Sequence, residues 1–216
     1  MLTKHAVVDS IVTTGAVLIV RLETADEALA VSRAAIDGGI RALEITLSVP
    51  DALGVIRTLS AEYEEQGIVI GAGTVLDEAA AFACVHAGAR LLVSPNVSVG
   101  MIRTAHRYGA VAIPGAYTPT EVVAALEEGA DLVKVFPTES LGPSHLKAIK
   151  APLPQAELLP AGGATPENVA TWFAAGATAV GVGSSITKAA RVDGDYGRVT
   201  RAAKDMLAAI AAARSN

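Results

Sequence analysis

Short apolar runs recur along the chain, each beginning just after a glycine that closes a helically patterned stretch. The runs are Gly39-Ile-Arg-Ala-Leu-Glu-Ile-Thr46, Gly67-Ile-Val-Ile-Gly71, Gly88-Ala-Arg-Leu-Leu-Val93, Gly109-Ala-Val-Ala-Ile113, Gly129-Ala-Asp-Leu-Val-Lys-Val135 and Gly176-Ala-Thr-Ala-Val-Gly181. Their leading glycines are 28, 21, 21, 20 and 47 positions apart, so the last gap holds two periods, with Glu157-Leu-Leu-Pro160 as a shorter strand inside it. Ala16 to Val20 adds a strand at the front, which makes eight.

The stretches between the runs open with helix-start signals. These are Thr24-Ala-Asp-Glu27 as a capping box, Ser48-Val-Pro-Asp51, Asp77-Glu78, Ser98, Thr118-Pro-Thr-Glu121 and Thr165-Pro-Glu167. Regular strand–helix alternation predicts parallel strands joined by crossover helices, and near-continuous Val, Ile, Leu and Ala runs predict strands covered on both faces. Eight units of about 27 residues predict an α/β fold of compact (β/α)8 TIM-barrel type, a single domain over residues 1–216. An open doubly wound sheet fits less well: no G-x-G-x-x-G follows the first strand and no break halves the chain. An extra amphipathic helix, Lys4 to Thr14, precedes the first strand and is placed to plug the bottom of the barrel. The alanine-rich stretch from Met206 to Ala213 reads as the final helix.

Composition narrows the class. Of 216 residues, 51 % are hydrophobic and 18 % charged, which excludes a disordered chain. A net charge of -5 without a basic block argues against nucleic acid and anionic membranes as partners. The lone Cys84 cannot form an intramolecular disulfide, which suits a cytoplasmic location, and structural zinc or iron–sulfur sites lack their usual ligands. Residues 1–10 show no export signal. Asn168 to Thr187 carries no charge but is broken by Gly176, Gly181 and Gly183, so it predicts a helix and a strand rather than a membrane span.

In a barrel, chemistry belongs at the C-terminal strand ends and the loops beyond them. Charges interrupt the apolar runs there. Arg21 follows the first strand, Glu44 and Thr46 lie in the second, and Lys134 lies in the sixth. Burial among valines disfavours the ammonium form of Lys134, and a neutral amine can condense with a substrate carbonyl to give a Schiff base. The plainer reading is a lysine that snorkels to water or forms a buried ion pair. Glu44 is either an acid/base with a raised pKa or the ionic partner of Arg21 or Lys134. Arg21 offers a planar fork of donors suited to a carboxylate, or pairs with Glu44.

Two glycine loops carry a different chemistry. Ala161-Gly-Gly-Ala164 follows the seventh strand and Gly181-Val-Gly183-Ser184-Ser185 the eighth, where barrels often bind phosphate through backbone N–H groups. Gly71-Ala-Gly73-Thr74 adds a hydroxyl and close backbone approach after the third strand. His5, His86, His106 and His145 fall away from strand ends without metal-ligand spacing, and no metal is expected. Cys84, Trp172 and Phe173 read as packing residues.

Taken in order, Arg21, Leu43-Glu-Ile-Thr46, Gly71-Ala-Gly-Thr-Val75, Ser94-Pro95, Pro114-Gly115, Lys134-Val-Phe-Pro137, Gly162-Gly163 and Gly183-Ser184 resemble the class I aldolases of 2-keto-3-deoxy-6-phosphohexonates, the KHG/KDPG aldolase family. The resemblance covers nearly the whole chain. It implies a covalent imine at Lys134 with no other cofactor, and Glu44 as an acid/base acting through water. It also implies substrate binding by Arg21, Thr74, Pro95, Phe136 and Ala161, with Arg21 and Thr74 on the pyruvate carboxylate and Phe136 walling the pyruvyl group, and a phosphate site of Gly162, Gly163, Gly183 and Ser184. The implied substrate is a phosphorylated 2-keto acid, the products are pyruvate and D-glyceraldehyde 3-phosphate, and the assembly is a homo-oligomer, a trimer in this family. Ser48 stands where phosphogluconate-type members carry an arginine. Ser94-Pro-Asn96, Gly142-Pro-Ser-His-Leu-Lys147 and Thr165-Pro-Glu-Asn168 with Trp172 resemble the phosphogalactonate branch. Ala161 has no hydroxyl to offer the sugar, which implies relaxed discrimination at carbon four. A phosphosugar epimerase that uses no imine, and a catalytically silent barrel acting as scaffold or sensor, are the alternatives.

Overall fold

A computed structural model describes residues 2–215. Helix α1 (Lys4–Thr14) precedes β1 (Ala16–Val20), both with the bounds read from the sequence. There follow α2 (Ala25–Asp37), β2 (Ala42–Thr46), α3 (Ala52–Tyr63), β3 (Val69–Gly73), α4 (Glu78–His86), β4 (Leu91–Val93), α5 (Val99–Arg107), β5 (Val111–Ile113) and β6 (Gly115–Ala116). The rest of the chain forms α6 (Pro119–Glu127), β7 (Val133–Val135), α7 (Gly142–Lys150), β8 (Leu158–Pro160), α8 (Val169–Ala174), β9 (Val180–Val182), the short α9 (Ser184–Thr187) and α10 (Gly197–Arg214).

Five of the six glycine runs, all but Gly67, open with one device. The N–H of Gly39 donates to Ile36 O and that of Ile40 to Ala35 O, the paired bonds that satisfy a helix's last carbonyls. Gly39 sits at φ 102, where a side chain is strained. The same pair recurs at Gly88–Ala89, Gly109–Ala110, Gly129–Ala130 and Gly176–Ala177. The chain therefore reverses over the glycine before pairing begins, and strands start two to four residues after it.

All strand pairings are parallel. A curled six-stranded sheet runs β5-β4-β3-β2-β1-β9, and β6-β7-β8 form a second sheet. The predicted fifth strand ends at Ile113 as read, and beyond Pro114, which has no N–H for the ladder, the chain forms the additional short strand β6. Around that break Asp131 N donates to Ala112 O and Lys134 N to Pro114 O. At the other seam β8 and β9 meet through an isolated parallel bridge, Ala161 with Gly181.

The period of two divides each strand between two cores. Leu18, Leu43, Ile45, Ile70, Leu92, Val133 and Val135 face the helices. Val17, Ala42, Val69, Leu91, Val111, Leu132 and Leu159 face inward, joined by Val7 and Ile11 of α1, so α1 caps the interior as expected. Glu44 and Lys134 share the inward parity of Ala42 and Leu132.

Helix caps refine the sequence reading. Asp77, Ser98 and Thr118 cap α4, α5 and α6, the last with a full capping box closed by Glu121. Thr24 accepts from Glu27 N. Helix α3 is capped by Asp51 instead of Ser48, because Pro50 lies between and the turn Thr46–Val49 intervenes. Helix α8 begins at Val169, later than Thr165, because the Asn168 side chain accepts from Thr165 N and donates to Gly163 O, holding that stretch as a turn. No helix among the described residues is long and apolar enough to cross a membrane.

Candidate active site

Inward parity carries Lys134 and Glu44 into the interior enclosed by the curled sheet, from strands in different sheets. Lys134 is 5 % exposed and Glu44 1 %. Their Nζ and Oε1 atoms stand 3.9 Å apart, close enough to attract and too far for a hydrogen bond. Neither Glu44 oxygen has a hydrogen-bond partner within the protein. A cavity of about 10 Å³ touches both side chains, about the volume one water needs. Burial pushes the Glu44 carboxyl above the usual carboxylate range, against the opposing pull of Lys134 and then Arg21. The acid is thus held in its protonated form more readily than a free carboxyl.

The space for Glu44 is made by a missing side chain. A Cβ on Gly73 of β3 would stand 2.8 Å from the Glu44 carboxyl carbon. On the other side of the amine, the Phe136 ring centroid lies 5.0 Å from Lys134 Nζ.

Above the pair opens a cleft of about 430 Å³. Its lining brings together the expected Arg21, Lys134, Phe136, Ala161, Gly162, Gly163, Gly183 and Ser184. Arg21 is exposed at the end of β1 and forms no ion pair with Glu44. Thr74 and Pro95 follow the C-terminal ends of β3 and β4 but do not line this cleft. Thr74 adopts φ 61, a left-handed conformation costly for a β-branched residue.

The diglycine turn is held from both sides. Buried Thr138 donates from Oγ1 to Ala161 O at 3.0 Å and to Gly162 O at 2.9 Å, tying the β7 loop to the β8 loop. Gly162 has φ 113, a conformation that side chains avoid and that opens the backbone to the cleft. Thr187 and Ser185 donate to Gly183 O and Ala164 O, which fixes the neighbouring loop after β9.

Sequence reasoning passed over Thr138, Glu139 and Lys188, which also build the cleft, and read Thr165, in the same lining, as a helix start. The signal for the first two was their place directly after Lys134-Val-Phe-Pro137 at a strand end. Lys188 was hidden one turn beyond Ser184. The histidines lie away from the cleft: His106 pairs with Asp131, and His145 Nε2 contacts Tyr117 O. Burial pushes the Cys84 thiol up to about 12, which leaves it unreactive. No cluster of three or more metal-ligating side chains occurs among the described residues.

Comparison with known proteins identifies the family. The family model for KDPG and KHG aldolase matches residues 8–202. The chain is 41 % identical to the 2-dehydro-3-deoxy-6-phosphogalactonate aldolase of Escherichia coli K12 over 174 residues, 80 % of this chain and 84 % of that protein. A solved structure described as native KDPGal superposes with a TM-score of 0.86 at 38 % identity, covering 93 % of this chain and 96 % of the other. The KDPG aldolase of Legionella pneumophila, solved with pyruvate captured at low pH as a covalent carbinolamine intermediate, gives 0.83 at 26 % identity, covering 93 % and 97 %. The chain belongs to the KDPG and KHG aldolase family, whose members are lyases.

Proposed function

We propose that this aldolase cleaves 2-dehydro-3-deoxy-6-phosphogalactonate, and its gluconate epimer, to pyruvate and D-glyceraldehyde 3-phosphate through an imine on Lys134. The carrying observation is the buried Lys134–Glu44 pair at 3.9 Å, open to the cleft on one side. The neutral amine adds to the C2 ketone, and the carbinolamine loses water to give a protonated imine. Glu44, acting through water, supplies and removes the protons of these steps. When the C4 hydroxyl is deprotonated, the C3–C4 bond breaks, its electrons pass into the imine, and the aldehyde leaves. The resulting enamine is protonated at C3, and hydrolysis frees pyruvate and the lysine. The imine is the electron sink, so the cycle calls for no metal ion.

Arg21 and Thr74 hold the carboxylate end, with Phe136, Pro95 and Ala161 as walls. The backbone of Gly162, Gly163 and Gly183 and the Ser184 hydroxyl hold the phosphate. Similarity to the phosphogalactonate aldolase and the serine at position 48 favour the galactonate epimer, while Ala161, with no donor, favours tolerance at carbon four.

The two sheets act as one closed eight-stranded barrel in a single domain. The Ala161–Gly181 bridge supports closure at one seam, and the bonds around Pro114 support it at the other. Leu76, Phe82, Val99 and Tyr108 are exposed on the α4–α5 face. The Phe82 and Tyr108 rings stand 5.4 Å apart, and Ser98 Oγ donates to Leu76 O. Such a patch is where copies of the chain meet, here as the family's trimer; a monomeric mass by light scattering would refute that assembly.

The deciding experiment treats the enzyme with pyruvate and borohydride and maps the adduct, then compares pyruvate release from the two epimers. An adduct on Lys134 and release from both are expected. An epimerase or a silent barrel would give neither.

A further inference from the structure

Three cations face the cleft, Arg21, Lys134 and Lys188, and one carboxylate, Glu139. That carboxylate has no hydrogen bond or ion pair among the described residues. Its position is defined by the diglycine turn: a Cβ on Gly162 would lie 3.3 Å from Glu139 Cγ and Cδ, and one on Gly163 3.4 Å from Cγ. Thr138, whose hydroxyl ties the two loops together, sets the backbone from which Glu139 projects. An unpaired carboxylate leaning on a loop that holds a dianion repels it, unless it meets a neutral donor of the same ligand.

The substrate has such donors, the hydroxyls on C4 and C5 between the ketone and the phosphate. Between the amine and the phosphate turn Ala161 brings no polar side-chain atom, and Glu139 is the one carboxylate in a lining whose other side-chain acceptors are the hydroxyls of Thr165, Ser184, Ser185 and Thr187. Its contact with Gly162 and Gly163 puts it at the phosphate end, beside C5. We propose that Glu139 is a specificity-determining residue whose carboxylate accepts a hydrogen bond from the hydroxyl adjacent to the phosphorylated carbon. This rests on the imine at Lys134 and the phosphate at Gly162-Gly163. It assigns the enzyme's preference for a hydroxylated aldehyde to one exposed side chain at the cleft, because a charged acceptor loses its hydrogen bond when the hydroxyl is missing.

The test runs the reaction in the condensation direction, pyruvate plus aldehyde. D-glyceraldehyde 3-phosphate is compared with 3-phosphooxypropanal, which has the same length and phosphate but no hydroxyl. The unaltered enzyme should prefer the hydroxylated aldehyde by about tenfold in kcat/KM. Glu139→Ala should reduce that preference to within about twofold, and Glu139→Gln, which keeps an acceptor oxygen, should restore most of it. A damaged fold or a purely electrostatic role would move both aldehydes by one factor. An equal change for both, or none, overturns the assignment while borohydride trapping of pyruvate on Lys134 still succeeds. Failure of trapping in the unaltered enzyme overturns the imine reading and this inference with it.

Discussion

Lys134 Nζ and Glu44 Oε1 face each other in the interior at 3.9 Å, one from β7 and the other from β2, strands that belong to different sheets. The separation lets the acid feel the amine's charge without tying up its lone pair in a direct bond. The attraction is incomplete: burial still dominates and holds Glu44 above the usual carboxylate range.

That balance predicts the behaviour of Lys134→Ala. Removing one member of a buried pair normally strands a charge, at a cost of about 3–5 kcal/mol. Glu44 escapes by taking up a proton, so the variant should keep a native circular dichroism spectrum and a cooperative urea transition. Pyruvate release should vanish. Turnover retained in this variant refutes the imine mechanism.

Glu44→Gln should lower cleavage by about 10²–10⁴-fold, the range of general acid–base catalysis. It should also change how stability depends on pH. A carboxyl raised in the folded state binds more protons folded than unfolded, so it lowers stability as pH rises from the ordinary carboxylate range through its folded value. Urea midpoints of the native protein should therefore fall over that window relative to those of the glutamine variant. Parallel curves for the two proteins would contradict the direction given for Glu44.

Gly73→Ala tests the space beneath the acid. The new methyl would stand 2.8 Å from the Glu44 carboxyl carbon and 2.9 Å from Oε1. Overpacking of this kind costs about 1–3 kcal/mol, and a displacement of about 1 Å at a reacting group can cost on the order of 10²-fold in rate. Both the urea midpoint and kcat should drop. A variant with unchanged kcat would show that the position of Glu44 does not matter to turnover.

Ser184→Ala and Gly162→Ala address the phosphate. Each should raise KM for the phosphorylated substrate by about tenfold while leaving the unphosphorylated sugar acid nearly unaffected, because only the former uses these donors. The glycine variant carries added backbone strain at φ 113. Equal losses on the two substrates would remove the phosphate from these loops.

Much of the architecture was legible because one local device repeats. Glycine closure of each helix announced the strands, and Ala16–Val20 and Lys4–Thr14 came out with their observed bounds. Strand starts were read early because the residue after the glycine belongs to the helix cap, as the Ile40–Ala35 bond illustrates. The break at Pro114 followed from the ladder, and whether neighbouring segments bridge it is a tertiary matter. In the site, Lys134 and Glu44 stood out as charges inside apolar runs. Glu139 and Lys188 did not, because charge in a polar loop is unremarked until the loop's path is known. The same limit explains why Thr74 and Pro95 were grouped with residues whose cleft they do not line.

Helix α1 provides a test of the fold separated from the chemistry. Val7 and Ile11 are buried against the inward residues of the strands, and the helix is secured by Lys4 on Asp131 at 2.8 Å and by a left-handed Gly15 at its end. This plug lies at the face opposite the cleft, where conserving the packing serves stability. Ile11→Ala removes a fully buried side chain and leaves a cavity between helix and strands, at about 2–5 kcal/mol. The urea midpoint should fall accordingly, while kcat/KM at a temperature where the variant is folded stays within about twofold. A collapse of kcat/KM without loss of stability would mean that α1 acts on the site, and that the two ends of the interior are coupled.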